Sequence, residues 1–413
     1  MMLSNRQVFL SHVAQTSTKP IGIEMVKAAG IHLWDANGKS YLDMISGFSV
    51  CNIGHSHPKV VKAVQDQAAD YMHLIVYGEF IEAPQVAYAK MLTEQLPQSL
   101  NCVYFTNSGA EATEGAMKLA KRVTGKHKII ACNHGYHGST QGALSVMGDE
   151  YWRNAFRPLL PSIAHVNFNG QDAIDAIDDQ TACIIIETVQ AESGIIKPNI
   201  EWLQELHKKC KEKGALLILD EIQAGFGRTG TLWAFEQYGI VPDILLLGKA
   251  LGGGMPLGAF IADYALMNTL THNPVLGHIT TFGGHPVSCA AGKAALEVLL
   301  DGKYIDTVFA KEKILNALVV HPAIIAKRSA GLWMSIQFAT AELNQAIVHQ
   351  CVQNGLITDW FLFAADRLRI APPLIIEENE LKQMCAIILQ SINEVLNSAA
   401  FCKTDYTISR TPE

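Results

Sequence analysis

Lys249 follows the apolar run Ile244-Leu245-Leu246-Leu247-Gly248 and precedes Ala250-Leu251-Gly252-Gly253-Gly254-Met255-Pro256. A primary amine at the end of a buried strand loses hydration, which favours its neutral form and makes it a competent nucleophile. Taken alone, the same residue also reads as a lysine snorkelling to solvent. Two acids hold comparable positions. Asp220 closes the apolar residues 216–219, and Glu187 closes residues 182–186. A carboxylate there is costly to bury unpaired, so each is a candidate for chemistry, with a helix cap or structural ion pair as the plain alternative. Ser108-Gly109-Ala110 comes directly after Cys102-Val103-Tyr104-Phe105 and opens a helical pattern. Free N–H groups at such a helix start make an anion site suited to a phosphate, and the same three residues also read as an ordinary N-cap followed by a turn glycine.

These residues depend on a particular scaffold. From about residue 100, short apolar strands alternate with amphipathic helices. Strands are expected at 102–105, 128–131, 182–186, 216–219 and 244–247, several of them continuously apolar as in a parallel sheet buried on both faces. The helix after Ser108 carries Ala112, Ala116, Leu119, Ala120 and Val123 at helical spacing, and a helix over 201–213 supplies a crossover between two strands. The fold class is α/β with a doubly wound sheet, whose ligands bind beyond the carboxyl ends of the strands, where the candidate residues lie. Before it, residues 31–34 and 41–42 flank Asp35-Ala36-Asn37-Gly38, a hairpin signal. After residue 300, helices at 311–318 and 380–396 and strands at 332–338 and 367–370 suggest a smaller α+β domain. The expected organisation is residues 1–50 joining a small domain, a large domain over 51–295, and the small domain over 296–413.

Composition bounds the function. The chain has 413 residues, a formal net charge of −7, and 49% hydrophobic against 17% charged residues, which is globular and long enough for two or three domains. No basic footprint points to nucleic acid. The longest apolar runs are far shorter than the roughly 20 residues of a membrane span, and the N-terminus lacks the pattern of a signal peptide. Nine cysteines, scattered from Cys51 to Cys402 without a C-x-x-C, fit reduced thiols. The expectation is a cytoplasmic protein.

Two motifs compete with this reading. Gly225-Phe226-Gly227-Arg228-Thr229-Gly230 matches G-x-G-x-x-G, but its first glycine falls five residues past Asp220 and no strong helix opens after it, which disfavours a dinucleotide site. Gly54-His55-Ser56-His57-Pro58 and His134-Gly135-Tyr136-His137 are rich in histidine but lack metal-ligand spacing, so no metal is assigned.

Taken together, the chain resembles the class III aminotransferases, fold-type I pyridoxal-phosphate enzymes of the acetylornithine, ornithine and 4-aminobutyrate aminotransferase group. The resemblance covers nearly the whole chain. It rests on Gly54-His55-Ser56-His57-Pro58, Asn107-Ser108-Gly109-Ala110-Glu111-Ala112, Tyr136-His137-Gly138 and Asp220-Glu221-Ile222-Gln223. It continues through the Gly225 to Gly230 motif, Gly248-Lys249 before the triple glycine, Thr281-Phe282-Gly283-Gly284, and Leu368-Arg369-Ile370-Ala371-Pro372-Pro373-Leu374.

The resemblance implies that Lys249 holds pyridoxal phosphate through an imine and later moves the substrate proton. It implies that Asp220 pairs with the pyridine nitrogen and keeps it protonated. Gln223 would bond the ring hydroxyl and Tyr136 would stack on the ring, with His137 beside it in the cofactor site. Gly109 and Ala110, with Ser108 nearby, would bind the phosphate, and Thr281 would reach the phosphate of a partner subunit in a homodimer. Arg369 would grip the substrate carboxylate, and Glu187, also counted with the cofactor site, would pair with that arginine when an amine is bound. The implied reaction is ping-pong transfer of a terminal amino group from an amine donor to an oxo-acid acceptor, 2-oxoglutarate or pyruvate.

Three departures bear on the substrate. Ser139 stands where the family carries an arginine for the distal carboxylate, and Phe48 where the ornithine enzymes carry a substrate-binding tyrosine. His285 also replaces the usual asparagine. Losing a charge-assisted contact costs about 1.5–3 kcal/mol. The donor is therefore expected to be a terminal amine whose distal end is not held by that arginine, such as a diamine, an acylated amine or an ω-amino acid gripped elsewhere. An aminomutase or decarboxylase on the same fold is the alternative enzyme, and a catalytically silent cofactor-binding protein the alternative class.

Overall fold

A computed structural model describes residues 3–77, 79–398 and 401. Its centre is a seven-stranded sheet in the order β4-β10-β9-β8-β7-β5-β6. The strands are β4 (Cys102–Thr106), β5 (Lys128–Cys132), β6 (Ile163–Val166), β7 (Thr181–Glu187), β8 (Leu216–Asp220), β9 (Ile244–Leu247) and β10 (Gly258–Ala262), after β1 (Met25–Ala29), β2 (His32–Asp35) and β3 (Ser40–Asp43) nearer the N-terminus. Neighbours from β6 to β9 run parallel, and β10 lies antiparallel between β4 and β9.

The apolar runs become strands because both faces of the sheet are covered. Along β9, Leu245 and Leu247 enter one hydrophobic cluster while Ile244 and Leu246 enter another. Ile184 and Ile186 of β7 likewise oppose Cys183 and Ile185. Alternate side chains of a strand point to opposite faces, so two covered faces require an unbroken apolar run. Each buried leucine or isoleucine contributes about 1.5–3 kcal/mol by leaving water.

The expected N-terminal hairpin forms, with β2 and β3 antiparallel. β3 then pairs in parallel with β13 (Leu356–Ile357), so the two ends of the chain share a four-stranded sheet. A third sheet contains β11 (Ala326–Ser329), β12 (Met334–Gln337), β15 (Ala364–Ile370) and β14 (Asp359–Phe361), with antiparallel neighbours. The helices Val308–Leu318 and Glu378–Leu396 match the expected ones to within three residues at their starts.

The two competing motifs have structural work. Within the Gly225–Gly230 turn, Arg228 is fully buried and donates to Leu332 O (2.8 Å), Pro372 O (2.6 Å) and Asn52 Oδ1 (2.6 Å), tying three distant segments together. His55 pairs with Asp43 at 2.6 Å, and His57 caps the helix Pro58–Asp70. Cys402 lies outside the described residues; the described cysteines are free thiols. Among the described residues no helix is long and apolar enough to cross a membrane.

Candidate active site

β7, β8 and β9 end side by side, and Glu187, Asp220 and Lys249, at or just past their ends, line one cavity of about 190 Å³. Glu187 and Asp220 are in register across β7 and β8, so both acids lie on the same face of the sheet edge. Lys249 lies two residues after the end of β9, past Gly248, with φ +47°. A left-handed lysine carries about 1–3 kcal/mol of backbone strain, which persists only where the surroundings enforce it. The turn brings the amine back over the strand ends, where Nζ donates to Gln223 Oε1 at 2.8 Å. Burial lowers its pKa to about 8; Glu192 works in the opposite direction and Arg369 reinforces the fall. The snorkelling alternative is thereby set aside.

Asp220 is held at both oxygens. Oδ1 accepts from Ile222 N at 2.9 Å and Oδ2 is 2.7 Å from His137 Nδ1. Burial works against a charged imidazole at His137, yet the bond to Asp220 outweighs it and raises the pKa. Glu187 goes the other way: burial, assisted by the Asp220 charge, lifts its pKa to about 7. Its oxygens accept from Tyr136 N (3.1 Å) and Ala191 N (3.0 Å), so it anchors the loop carrying Tyr136.

The helix Gly109–Thr124 starts at the cavity wall. Ser108 Oγ caps it by accepting from Glu111 N at 3.2 Å, so the capping reading is correct for the serine. The first intrahelical bond runs from Ala112 N to Ser108 O; the N–H groups of Gly109 and Ala110 precede it, and both residues line the cavity. A Cβ at Gly109 would lie 2.7 Å from Ile222 Cδ1, which is why this helix start approaches the strand ends so closely.

Buried polar atoms without partners test what the cavity holds. Gln223 Nε2 and His137 Nε2 are two of these, and buried polar groups are normally bonded. Amide donors at one end, a fixed carboxylate at the other and an amine between them fit pyridoxal phosphate: Gly109 and Ala110 for its phosphate, Asp220 for its ring nitrogen, Gln223 for its hydroxyl, Lys249 for its aldehyde. Tyr136, His137, Ser139 and Val189 line the same space.

A second cavity of about 380 Å³ opens beside the first, lined by Gly47, Phe48, Tyr136, Glu192, Lys249 and Leu362. Phe48 belongs to a run of four consecutive positive φ values, Ser46 to Ser49. Below this cavity Arg369, almost wholly buried, is held bidentately by Glu192 at 2.9 and 2.8 Å. The arginine's carboxylate partner is therefore Glu192 and not Glu187, which corrects the pairing implied by the resemblance. Glu187 ends its strand with its oxygens committed to backbone amides, whereas Glu192 sits in the following loop, where Leu362 N also donates to it at 2.9 Å. An acid at a strand end stands out by pattern; one in a loop has no periodicity to mark it. The only cue was its place five residues after Glu187.

Thr281 is exposed and does not line its own chain's cavity. Its loop is pinned nearby, with Asn107 Nδ2 donating to Thr280 Oγ1 at 3.0 Å. Ile279 and Phe282 on the same loop are 60% and 53% exposed, and Ile81 is 92% exposed.

Residues 13–392 match the family model for class-III aminotransferases. The chain is 38% identical to the acetylornithine aminotransferase of Bacillus cereus, covering 92% of this chain and 96% of that protein. It is 37% identical to the putrescine aminotransferase of Pectobacterium atrosepticum, covering 88% and 80%. Among solved structures, the ornithine aminotransferase of Toxoplasma gondii superposes with a TM-score of 0.87 at 29% identity, covering 94% of this chain and 93% of that one.

Proposed function

The chain belongs to the class III aminotransferases, which depend on pyridoxal phosphate, and from that premise we propose that it moves a terminal amino group from a donor whose distal end carries no carboxylate to an oxo acid. The observation that carries this reading is the Lys249 amine, turned back by its left-handed backbone to within 2.8 Å of Gln223 Oε1 inside a cavity ended by a fixed carboxylate.

Pyridoxal phosphate, when bound, supplies an aldehyde that captures the amine and a conjugated ring that accepts the electron pair left when the adjacent carbon loses its proton. The residues of this chain do the rest. Lys249, with a pKa near 8, is close enough to neutrality both to accept that proton and to return it. Asp220 fixes a negative charge where a protonated ring nitrogen is to be held, and His137 fixes Asp220. Gly109 and Ala110 bind the phosphate through backbone amides at the positive end of a 16-residue helix. Glu187 and Tyr136 keep the cavity wall in place.

The donor class follows from the second cavity. Among the described residues Lys249 is the only cation lining it, and Glu192 puts a carboxylate there. Ser139 Oγ is 3.2 Å from Tyr136 Oη and offers no charge for a distal carboxylate. A diamine or an acylated amine suits this lining better than 4-aminobutyrate. Arg369 is the group for the oxo acid, reached by displacing Glu192. Placing a guanidinium at Ser139 is expected to reverse the preference: Ser139→Arg lowers KM for a donor with a distal carboxylate about tenfold or more, the value of one charge-assisted contact. Steady-state kinetics with paired donors checks this, and an unchanged ratio between donors counts against the assignment.

The exposed apolar residues around Thr281 support a homodimer in which Thr281 completes the partner's phosphate site, and the free thiols support a cytoplasmic location. The reaction itself is tested on the purified holoenzyme by half-reactions. The cofactor's visible absorbance should bleach with a terminal diamine and return with 2-oxoglutarate or pyruvate, and a clean preference for N-acetylornithine or ornithine over every diamine and monoamine would count against a donor without a distal carboxylate. Donor turnover that needs no oxo acid and leaves the cofactor's absorbance in place would favour a decarboxylase or aminomutase instead.

A further inference from the structure

Arg369 has a second acid beside it. Asp359 on β14 lies directly opposite Arg369 on β15 in the antiparallel register, and such cross-strand pairs bring their side chains into contact. Asp359 Oδ1 is 3.0 Å from Arg369 Nε, an ionic contact not aligned as a hydrogen bond, since neither atom has a hydrogen-bond partner. The two terminal nitrogens are already taken by Glu192, and one also donates to Trp360 O at 3.1 Å. Phe361 and Phe48 present their rings to the same guanidinium, at 4.4 and 5.3 Å. One cation thus faces two carboxylates in an apolar surround, and with both ionised the cluster carries a net negative charge. A carboxylate that displaces Glu192 from Arg369 still meets Asp359.

We propose that Asp359 is a positioning residue that holds Arg369 against the incoming oxo acid and so sets how the shared pocket divides its affinity between a carboxylate and an amine. The inference rests on the function proposed above. Its physical basis is charge. A unit charge a few ångströms away, at the effective dielectric of a partly solvated site, is worth more than a factor of ten in binding. When ionised, Asp359 weakens oxo-acid binding and leaves a cationic amine at least as well bound. It leaves the proton transfer at Lys249 untouched because it does not line either cavity.

The cluster also makes this balance depend on pH. Asp359 faces Arg369 from β15, Glu192 from the loop after β7, and Asp43 at the end of β3, itself paired with His55. Burial raises its pKa to about 7 against the pull of Arg369. Below that value Asp359 is neutral and the oxo acid binds better; above it the carboxylate is charged and the KM for the oxo acid rises.

The test uses the holoenzyme and its Asp359→Asn variant, with 2-oxoglutarate and pyruvate as acceptors on either side of pH 7. The variant is expected to lower the oxo-acid KM about tenfold at the alkaline end, to flatten its pH dependence, and to leave the amine half-reaction rate within about twofold. An unchanged KM, or a parallel loss in both half-reactions, overturns the proposal and makes Asp359 a fold residue only. Should the variant not fold, the wild-type profile decides: an oxo-acid KM that does not rise with pH through neutrality overturns it. Failure of the wild-type enzyme to aminate either oxo acid would instead refute the proposed function, a distinct result.

Discussion

A Lys249→Ala variant is expected to lose at least about a thousandfold in turnover while keeping its fold. Among the described residues lining the cavity, no other side chain combines an amine with a pKa near 8 and a position between Gln223 and the strand ends. On the proposed function, removing it deletes both the attachment point for the cofactor's aldehyde and the base that exchanges the substrate proton, and general acid–base transfer alone is worth about 10²–10⁴-fold. Stability should change little. Alanine tolerates the left-handed backbone at +47° no better and no worse than lysine, so the strain remains. Thermal unfolding of wild type and variant, alongside turnover and visible absorbance, separates these effects. Turnover within tenfold of wild type would remove Lys249 from the mechanism.

The second large effect belongs to Asp220. Asp220→Asn keeps the size of the side chain and, with its oxygen at Oδ1, the bond from Ile222 N, while it removes the charge and turns the acceptor facing His137 into an amide donor. A fixed charge in a water-poor site is already oriented when charge develops, so it stabilises more than the same charge in water. Turnover is expected to fall at least about a hundredfold, with the cofactor still bound through Lys249 and the backbone amides. His137 provides an independent signal. Its pKa is raised by the bond to Asp220 despite burial, so in the variant its titration should move down, which NMR of the imidazole would show. A large rate loss without that movement would place the effect elsewhere than in the buried pair.

The strand ends were legible because burial on both faces leaves a pattern that needs no partner information. A short unbroken apolar run such as 244–247, ended by a glycine, fits a strand covered on both faces, so a lysine or acid closing it is conspicuous. The hairpin at Asn37-Gly38 was legible for a similar local reason, its backbone requirement. The antiparallel insertion of β10 between β4 and β9 had no such mark, since Gly258–Ala262 is equally apolar in either direction and only its neighbours determine its sense.

Short-range chemistry was thus written along the chain: which residues end buried strands, which open a helix on free amides, and which loop lacks the arginine, with Ser139 in its place. Long-range pairing was settled only by the folded chain. Arg369 and Glu192 are 177 positions apart, and nothing periodic marks Glu192, whereas Glu187 is marked by closing its strand. The packing of β15 beneath the loop after β7, and the register that sets Asp359 opposite Arg369, choose the partner. Charge pairing between remote residues depends on distances of a few ångströms, and those distances exist only once the sheets have packed.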